Sequence, residues 1–384
     1  MTKKYLKSHI EEQIERSLYL KSLIPRPIGY PELIGLADRC SRILDENIGY
    51  LRYLLKELEP RNEKDVRDLY RSFRVAYRNI ETIEYFGIPP LHFQSADVKF
   101  LNKLVFRIQN EINLPFVAPS VACFSNRYYW IHGITNVMFM PIGEASSLLH
   151  LPDIYHELGH ATLYNKENDN RLIEIKSTYK EVIQRITHYF ENIYHKKQRR
   201  TGPPEVPMLV RHLHSQWKNW INEFFSDLFA CYTLGPAYAW GHLHLTTKKC
   251  DDIYKFEKPP IPQSHPSDDS RMKILVIGLE EVGFSDQAKE IMSVWEGMPF
   301  ATSSRPVYEY QYAYPNSLMQ EIAKLIREGI EKSEISILTP DRLDSLDTKS
   351  IRKTLNEAWN RFWMDSKGFR KWETKTLELI KSII

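Results

Sequence analysis

Glycine is scarce in this chain, with 15 residues in 384 against 22 tyrosines, 17 phenylalanines and 8 tryptophans. Few glycines and many long side chains favour helices over turn-rich sheets. Cysteine is sparse too. Cys40, Cys123, Cys231 and Cys250 are scattered and form no C-x-x-C pair, which reads as free thiols in a reduced, cytoplasmic protein. There is no run of 18 apolar residues, so no transmembrane helix and no membrane insertion are expected. The N-terminal segment turns acidic at Glu11, Glu12 and Glu15 and lacks an apolar stretch, so it does not read as a signal peptide. A net charge of +3 is too mild to argue for a nucleic-acid partner. Internal repeats and low-complexity tracts are absent from the sequence.

The chain is long enough for one large domain or two to three smaller ones, and its 42% hydrophobic and 26% charged residues are ordinary for a globular protein. Residues 1–112 read as an N-terminal helical region, in which Leu33, Leu36, Ile43, Ile48, Leu51, Leu54 and Leu55 fall near helical spacing. Further helices are expected at about 63–85 and 95–112. Over 113–141 short β-type runs appear, such as Val121-Ala122-Cys123-Phe124 and Asn136-Val137-Met138-Phe139-Met140, and predict a small antiparallel sheet. Helices then follow at about 152–164, 171–197 and 208–234, the last ended by Gly235-Pro236. Pro259, Pro260, Pro262 and Pro266 make 258–266 a rigid loop. The expected class is mostly α (α+β), with a core at 113–285 and a C-terminal helical region at 286–384.

His156-Glu157-Leu158-Gly159-His160 spells H-E-x-x-H inside a predicted helix. Histidines four apart share one helical face, so both imidazoles can converge on one metal ion, and Glu157 can reach a zinc-activated water as general base. The competing reading is a pair of partly exposed helix histidines. The flanking Ile154, Leu158, Ala161 and Leu163 argue against it, since burying these polar groups without a partner would cost roughly several kcal/mol. Zinc with two histidines needs a third protein ligand and an open position. Glu223 suits that role, on a helix rich in Trp220, Phe224, Phe225 and Phe229. Asp227, four residues on, suits the second imidazole nitrogen of a ligand histidine, His156 above all. A solvated acidic face is the alternative for this pair.

Both motifs resemble those of the gluzincin metallopeptidases, thermolysin-like enzymes in which H-E-x-x-H is followed by N-E-x-x-S-D, here Asn222 to Asp227. The resemblance implies a zincin-like core at 113–285, one zinc per chain on His156, His160 and Glu223, Asp227 behind a ligand, and a peptide or protein substrate. Ser264-His265-Pro266-Ser267-Asp268-Asp269-Ser270-Arg271 contains an H-P-S-x-x-x-R element similar to that of the CAAX-type prenyl proteases. That likeness implies that His265 acts at the oxyanion and that Arg271 holds substrate. A helix start at Pro266, with Asp268 and Asp269 in the first turn, is the plainer alternative. In gluzincins a strand beside the metal helix pairs with the substrate, which would be 136–140, through Asn136 and Met138. An ordinary core strand serves equally well.

Two other functions fit the same residues. A di-iron carboxylate protein would need a second E-x-x-H unit, and none stands in the chain. A sensor or toxin-like regulatory protein would keep the metal fold and use it for regulated binding or for a single cleavage. His212, His214, His242 and His244 read as surface groups, and the alternating Tyr308, Tyr310, Tyr312 and Tyr314 as packing or a pocket wall.

Overall fold

The computed structural model describes residues 3–26, 28–56, 63–125, 128–141, 143–166, 169–198, 205–249 and 251–384. Cys250 lies outside the described residues. The protein is mostly α-helical with one small sheet. It divides into two compact units, Met1–Phe106 with Val117–Ala145, and Arg107–Phe116 with Ser146–Ile384.

The first unit holds α1 (Lys3–Ser22), α2 (Ile34–Lys56), α3 (Glu63–Phe86), the short α4 (Ile88–His92) and most of α5 (Ala96–Glu111). Its strands are β1 (Ser120–Ala122), β2 (Trp130–His132) and β3 (Val137–Phe139). In α2, Leu36, Cys40, Leu44, Ile48 and Leu51 recur every three or four residues and are all buried. They share a core with Ile10, Phe73, Ile80 and Ile83, and with Ala122, Val137 and Phe139 of the sheet.

The sheet departs from the expected antiparallel form. Its order is β1-β3-β2; β2 pairs antiparallel with β3, but β1 pairs parallel with it. The outer side of β1 is met by a side chain instead of a strand. Val121 N donates to Asn102 Oδ1 at 2.8 Å, and Asn102 Nδ2 donates to Val121 O at 3.3 Å. Because β3 is the central strand, its backbone is paired on both sides and presents no edge to a peptide. Met138 is buried, and the Asn136 amide donates to Val117 O at 3.0 Å, just ahead of β1. The strand-pairing role expected for Asn136 and Met138 is therefore corrected to a structural one.

The second unit holds α6 (Asp153–Tyr164), α7 (Asn170–Gln198), α8 (Glu205–Leu234), α9 (Pro236–Lys249), α10 (Asp268–Glu281) and α11 (Ser285–Trp295). It continues with α12 (Met298–Ala301), α13 (Tyr310–Ala313), α14 (Asn316–Lys332), α15 (Pro340–Ser345), α16 (Ile351–Met364) and α17 (Ser366–Ile383). The boundaries expected at 112 and 285 do not match this division. The strands belong with the first helices, and the helices beyond 285 pack with the metal-motif helices. Thus α14 packs on α7, α8 and α10, and Trp359 of α16 stacks on Trp240 of α9 with centroids 6.3 Å apart.

Helix α8 is the hub, touching α6, α7, α9, α10 and α14. Its Trp217, Trp220, Phe224, Phe225, Leu228, Phe229 and Tyr232 are buried around most of its girth, as a central helix requires. The approach of α6 to α8 depends on Gly159. A Cβ there would lie 2.8 Å from Ser226 Cα, closer than packed atoms tolerate. Among the described residues no helix is long and apolar enough to cross a membrane. Cys40, Cys123 and Cys231 are buried free thiols.

Candidate metal centre

Helix α6 presents His156 and His160 from consecutive turns toward α8, which presents Glu223. The two Nε2 atoms stand 3.1 Å apart. His156 Nε2 lies 3.5 Å from Glu223 Oε2, and His160 Nε2 lies 3.4 Å from Glu223 Oε1. Donors around a tetrahedral zinc ion, at bond lengths of about 2.0–2.2 Å, are roughly 3.3–3.6 Å from one another. The three groups therefore face one point at about the spacing of a shared ion. Among the described residues they are the one group of three or more His, Cys, Asp or Glu side chains that could hold a metal.

The charges of the cluster agree with that fit. Glu223 and Asp227 bring two carboxylates into the same buried region; Arg271 balances Asp227, and Glu223 calls for positive charge from a proton or a metal. Burial alone would raise the pKa of Glu223, but hydrogen bonds from His156 and His160 hold it well below the usual carboxylate range. Burial disfavours protonation of His156, yet hydrogen bonds to Asp227 and Glu223 outweigh it and hold its pKa at about 10. A metal ion would replace that proton.

Behind His156 lies a dense polar network. His156 Nδ1 is 3.0 Å from Asp227 Oδ1 and 2.9 Å from the Tyr238 hydroxyl. Tyr238 donates to Asp227 Oδ1 at 2.6 Å, and Arg271 forks onto the same carboxylate, Nε to Oδ2 at 2.8 Å and Nη2 to Oδ1 at 2.6 Å. Asp227 is completely buried, which would raise its pKa, but the Arg271 charge together with the hydrogen bonds from Arg271 and His156 holds it far below the ordinary carboxylate range. The substrate-holding role expected for Arg271 is corrected by this geometry: the guanidinium is spent on Asp227, behind the ligand. Sequence reasoning missed Tyr238. Its one signal was Gly235-Pro236. Gly235, at φ 82°, turns the chain where α8 ends and Pro236 begins α9, bringing the first turn of α9 back over Asp227.

Glu157 is buried, and its Oε2 has no hydrogen-bond partner. Burial raises its pKa against the opposing pull of His160 and His156. His160 Nδ1 is likewise buried and unpartnered, and the ring of Tyr164 lies parallel to the His160 ring at 5.9 Å. His265 is on the open side. Its side chain is 66% exposed, with Nε2 3.8 Å from Glu223 Oε1. It does not cap the following helix. Ser267 does so, its Oγ accepting from Ser270 N at 3.1 Å, while Tyr310 and Tyr314 bind Ser267 from outside. Tyr310 and Tyr314 are buried packing groups of that helix start, whereas Tyr308 and Tyr312 are exposed.

The two histidines of α9, expected at the surface, are buried (His242) and half-buried (His244). His242 is buried, stacked on Trp295 at 6.1 Å, and donates to Asp268 O at 3.2 Å. His244 packs against Trp359 at 5.6 Å. Burial lowers the pKa of both, with Arg271 adding to the effect at His242 and Lys248 and His150 at His244, which falls to about 4. Both histidines therefore bind fewer protons folded than unfolded. Stability is full above the unfolded value of about 6.5 and is lost as pH falls toward 4. Denaturant titrations at pH 7 and pH 4.5 should differ by roughly 1–3 kcal/mol through these groups, and His244→Gln should shrink the difference. An unchanged difference in His244→Gln would refute its share.

Comparison of the chain with family models, curated proteins and solved structures gave no match.

Proposed function

We propose that this chain is a zinc-dependent hydrolase, and a peptidase first of all. The observation that carries the reading is the convergence of His156 Nε2, His160 Nε2 and the Glu223 carboxylate beside Glu157, whose buried carboxylate has an oxygen without a partner. A zinc ion held by those three residues supplies Lewis acidity, polarising a carbonyl and acidifying water. Glu157 then accepts a proton from the attacking water and passes it to the leaving amine, a task for which a raised pKa suits it. His265, on the open side of Glu223, donates a hydrogen bond to the oxygen on which negative charge develops. Being solvent-exposed, it contributes less than the roughly 100-fold of a buried donor. Asp227, Tyr238 and Arg271 hold His156 and exclude water behind it. A di-iron reading gains no support, since no second ligand cluster stands among the described residues.

The reading is tested by elemental analysis of protein purified without chelator, together with turnover on a peptide library. One zinc per chain is expected, with hydrolysis that a chelator abolishes and zinc restores. His265→Ala should lose about tenfold in kcat while keeping its stability. Stoichiometric zinc with no turnover on any peptide would overturn the peptidase reading and favour a regulatory metal protein. Absence of stoichiometric metal would overturn the metal centre itself.

A further inference from the structure

The polar network behind His156 is built from four helices. His156 comes from α6, Asp227 from α8, Tyr238 from α9 and Arg271 from α10. An imidazole can offer its Nε2 lone pair to a metal only if its proton resides on Nδ1, and the group facing Nδ1 decides where that proton sits. Asp227 alone would fix the tautomer, but it is also gripped by Arg271 through two hydrogen bonds, which draw its charge toward the guanidinium. Tyr238, like Asp227, touches all three other members. Its hydroxyl donates to Asp227 Oδ1 at 2.6 Å, lies 2.9 Å from His156 Nδ1 and is 3.4 Å from Arg271 Nη2. With the phenolic proton given to Asp227, the oxygen's lone pairs remain for His156 Nδ1–H and Arg271. The ring stacks near-parallel on His156, at 17° with centroids 5.9 Å apart, which also limits rotation of the imidazole.

We infer that Tyr238 is a positioning residue of the metal centre: its hydroxyl, bridging Asp227 and His156, fixes the Nδ1-protonated tautomer and the ring plane of His156 so that Nε2 faces His160 and Glu223. The inference rests on the metal-centre part of the proposed function and does not depend on which bond is hydrolysed. The phenol never reaches the ligand position, because Asp227 and His156 take its hydrogen-bonding capacity on the far side of the imidazole.

The test is zinc affinity of the full-length protein, measured by competition with a chromophoric chelator, for wild type, Tyr238→Phe and Tyr232→Phe. Tyr232 is the control. It is also fully buried, and its hydroxyl donates to Ala323 O at 2.8 Å with no member of the cluster in reach. Tyr238→Phe should weaken zinc binding by roughly 10–100-fold, the usual effect of losing a partner that orients a ligand histidine. Tyr232→Phe should lower the unfolding temperature and leave zinc affinity within about twofold. Equal zinc affinity in all three proteins would overturn the positioning role while leaving the metal centre intact. A wild type that binds no zinc would overturn both. If Tyr238→Phe fails to fold, Tyr238→Met, which fills the site without a hydroxyl, is measured in its place, and wild-type affinity in it would likewise overturn the inference.

Discussion

Glu157→Gln is expected to keep its zinc and its fold and to lose peptide hydrolysis by at least about 100-fold, the lower end of what a positioned proton acceptor contributes. The amide preserves the shape of the side chain and removes its basicity. The environment makes the difference large. Glu157 is 5% exposed, and burial favours its protonated form. A carboxylate so placed is a stronger base than one in water, while the neighbouring imidazoles keep it from becoming permanently neutral. Glu157 does not belong to the ligand group, so zinc content should stay at the wild-type level. Hydrolysis within a few-fold of wild type, measured as kcat/KM on the best peptide, would mean that another group takes the proton.

Asp227→Ala should destabilise the second unit by about 3–5 kcal/mol, the usual cost of removing one partner of a buried ion pair. The Arg271 side chain is 12% exposed and donates twice to Asp227, so its charge would remain buried with no counterpart. Tyr238 and His156 would lose an acceptor as well. Urea unfolding in the presence of chelator isolates this effect from metal linkage. Replacing the arginine too, as Asp227→Ala with Arg271→Met, should recover part of the loss, because the uncompensated charge is then gone. A single variant that loses less than about 1 kcal/mol would show that water reaches the guanidinium and that the pair is not sealed.

The helices were legible in the sequence wherever a local rule sets their ends. Gly235-Pro236 separates α8 from α9, and α3 and α7 lie within a residue or so of the spans expected from periodicity. The grouping of His156, His160 and Glu223 was legible because spacing of four places two imidazoles on one face, and because the Asn222-to-Asp227 motif marks Glu223 on a helix rich in large apolar side chains. What escaped was set by tertiary packing. Three-residue strands carry no mark of direction, so the parallel pairing of β1 with β3 could not be read. The partner of Arg271 depends on how α10 crosses α8, a crossing that is close because Gly278 has no Cβ to meet Leu228 and Cys231. Tyr238 sits in a stretch whose neighbours, Ala237, Ala239 and Trp240, read as packing, and only the turn at Gly235 brings it to His156. His242 and His244 read as surface groups because an i, i+2 pair on a helix points two ways, and here one of those ways is covered fully and the other in part.

The interrupted first unit has a consequence for how the chain comes to be folded. Its core joins Ile10, Leu44 and Phe73 to Val137 and Phe139, and the segment 107–116 between them belongs to the other unit. During synthesis, α1, α2 and α3 emerge with their apolar faces already matched to one another, yet Phe86 waits for its edge-to-face partners Trp130 and Phe139, 5.7 Å away in the finished unit. Closing that core brings together residues far apart in sequence, a slow kind of contact to form. Until residue 139 has left the ribosome, the nascent chain shows a sticky aromatic surface, and this is the interval in which a chaperone that shields exposed apolar groups would matter most to its yield.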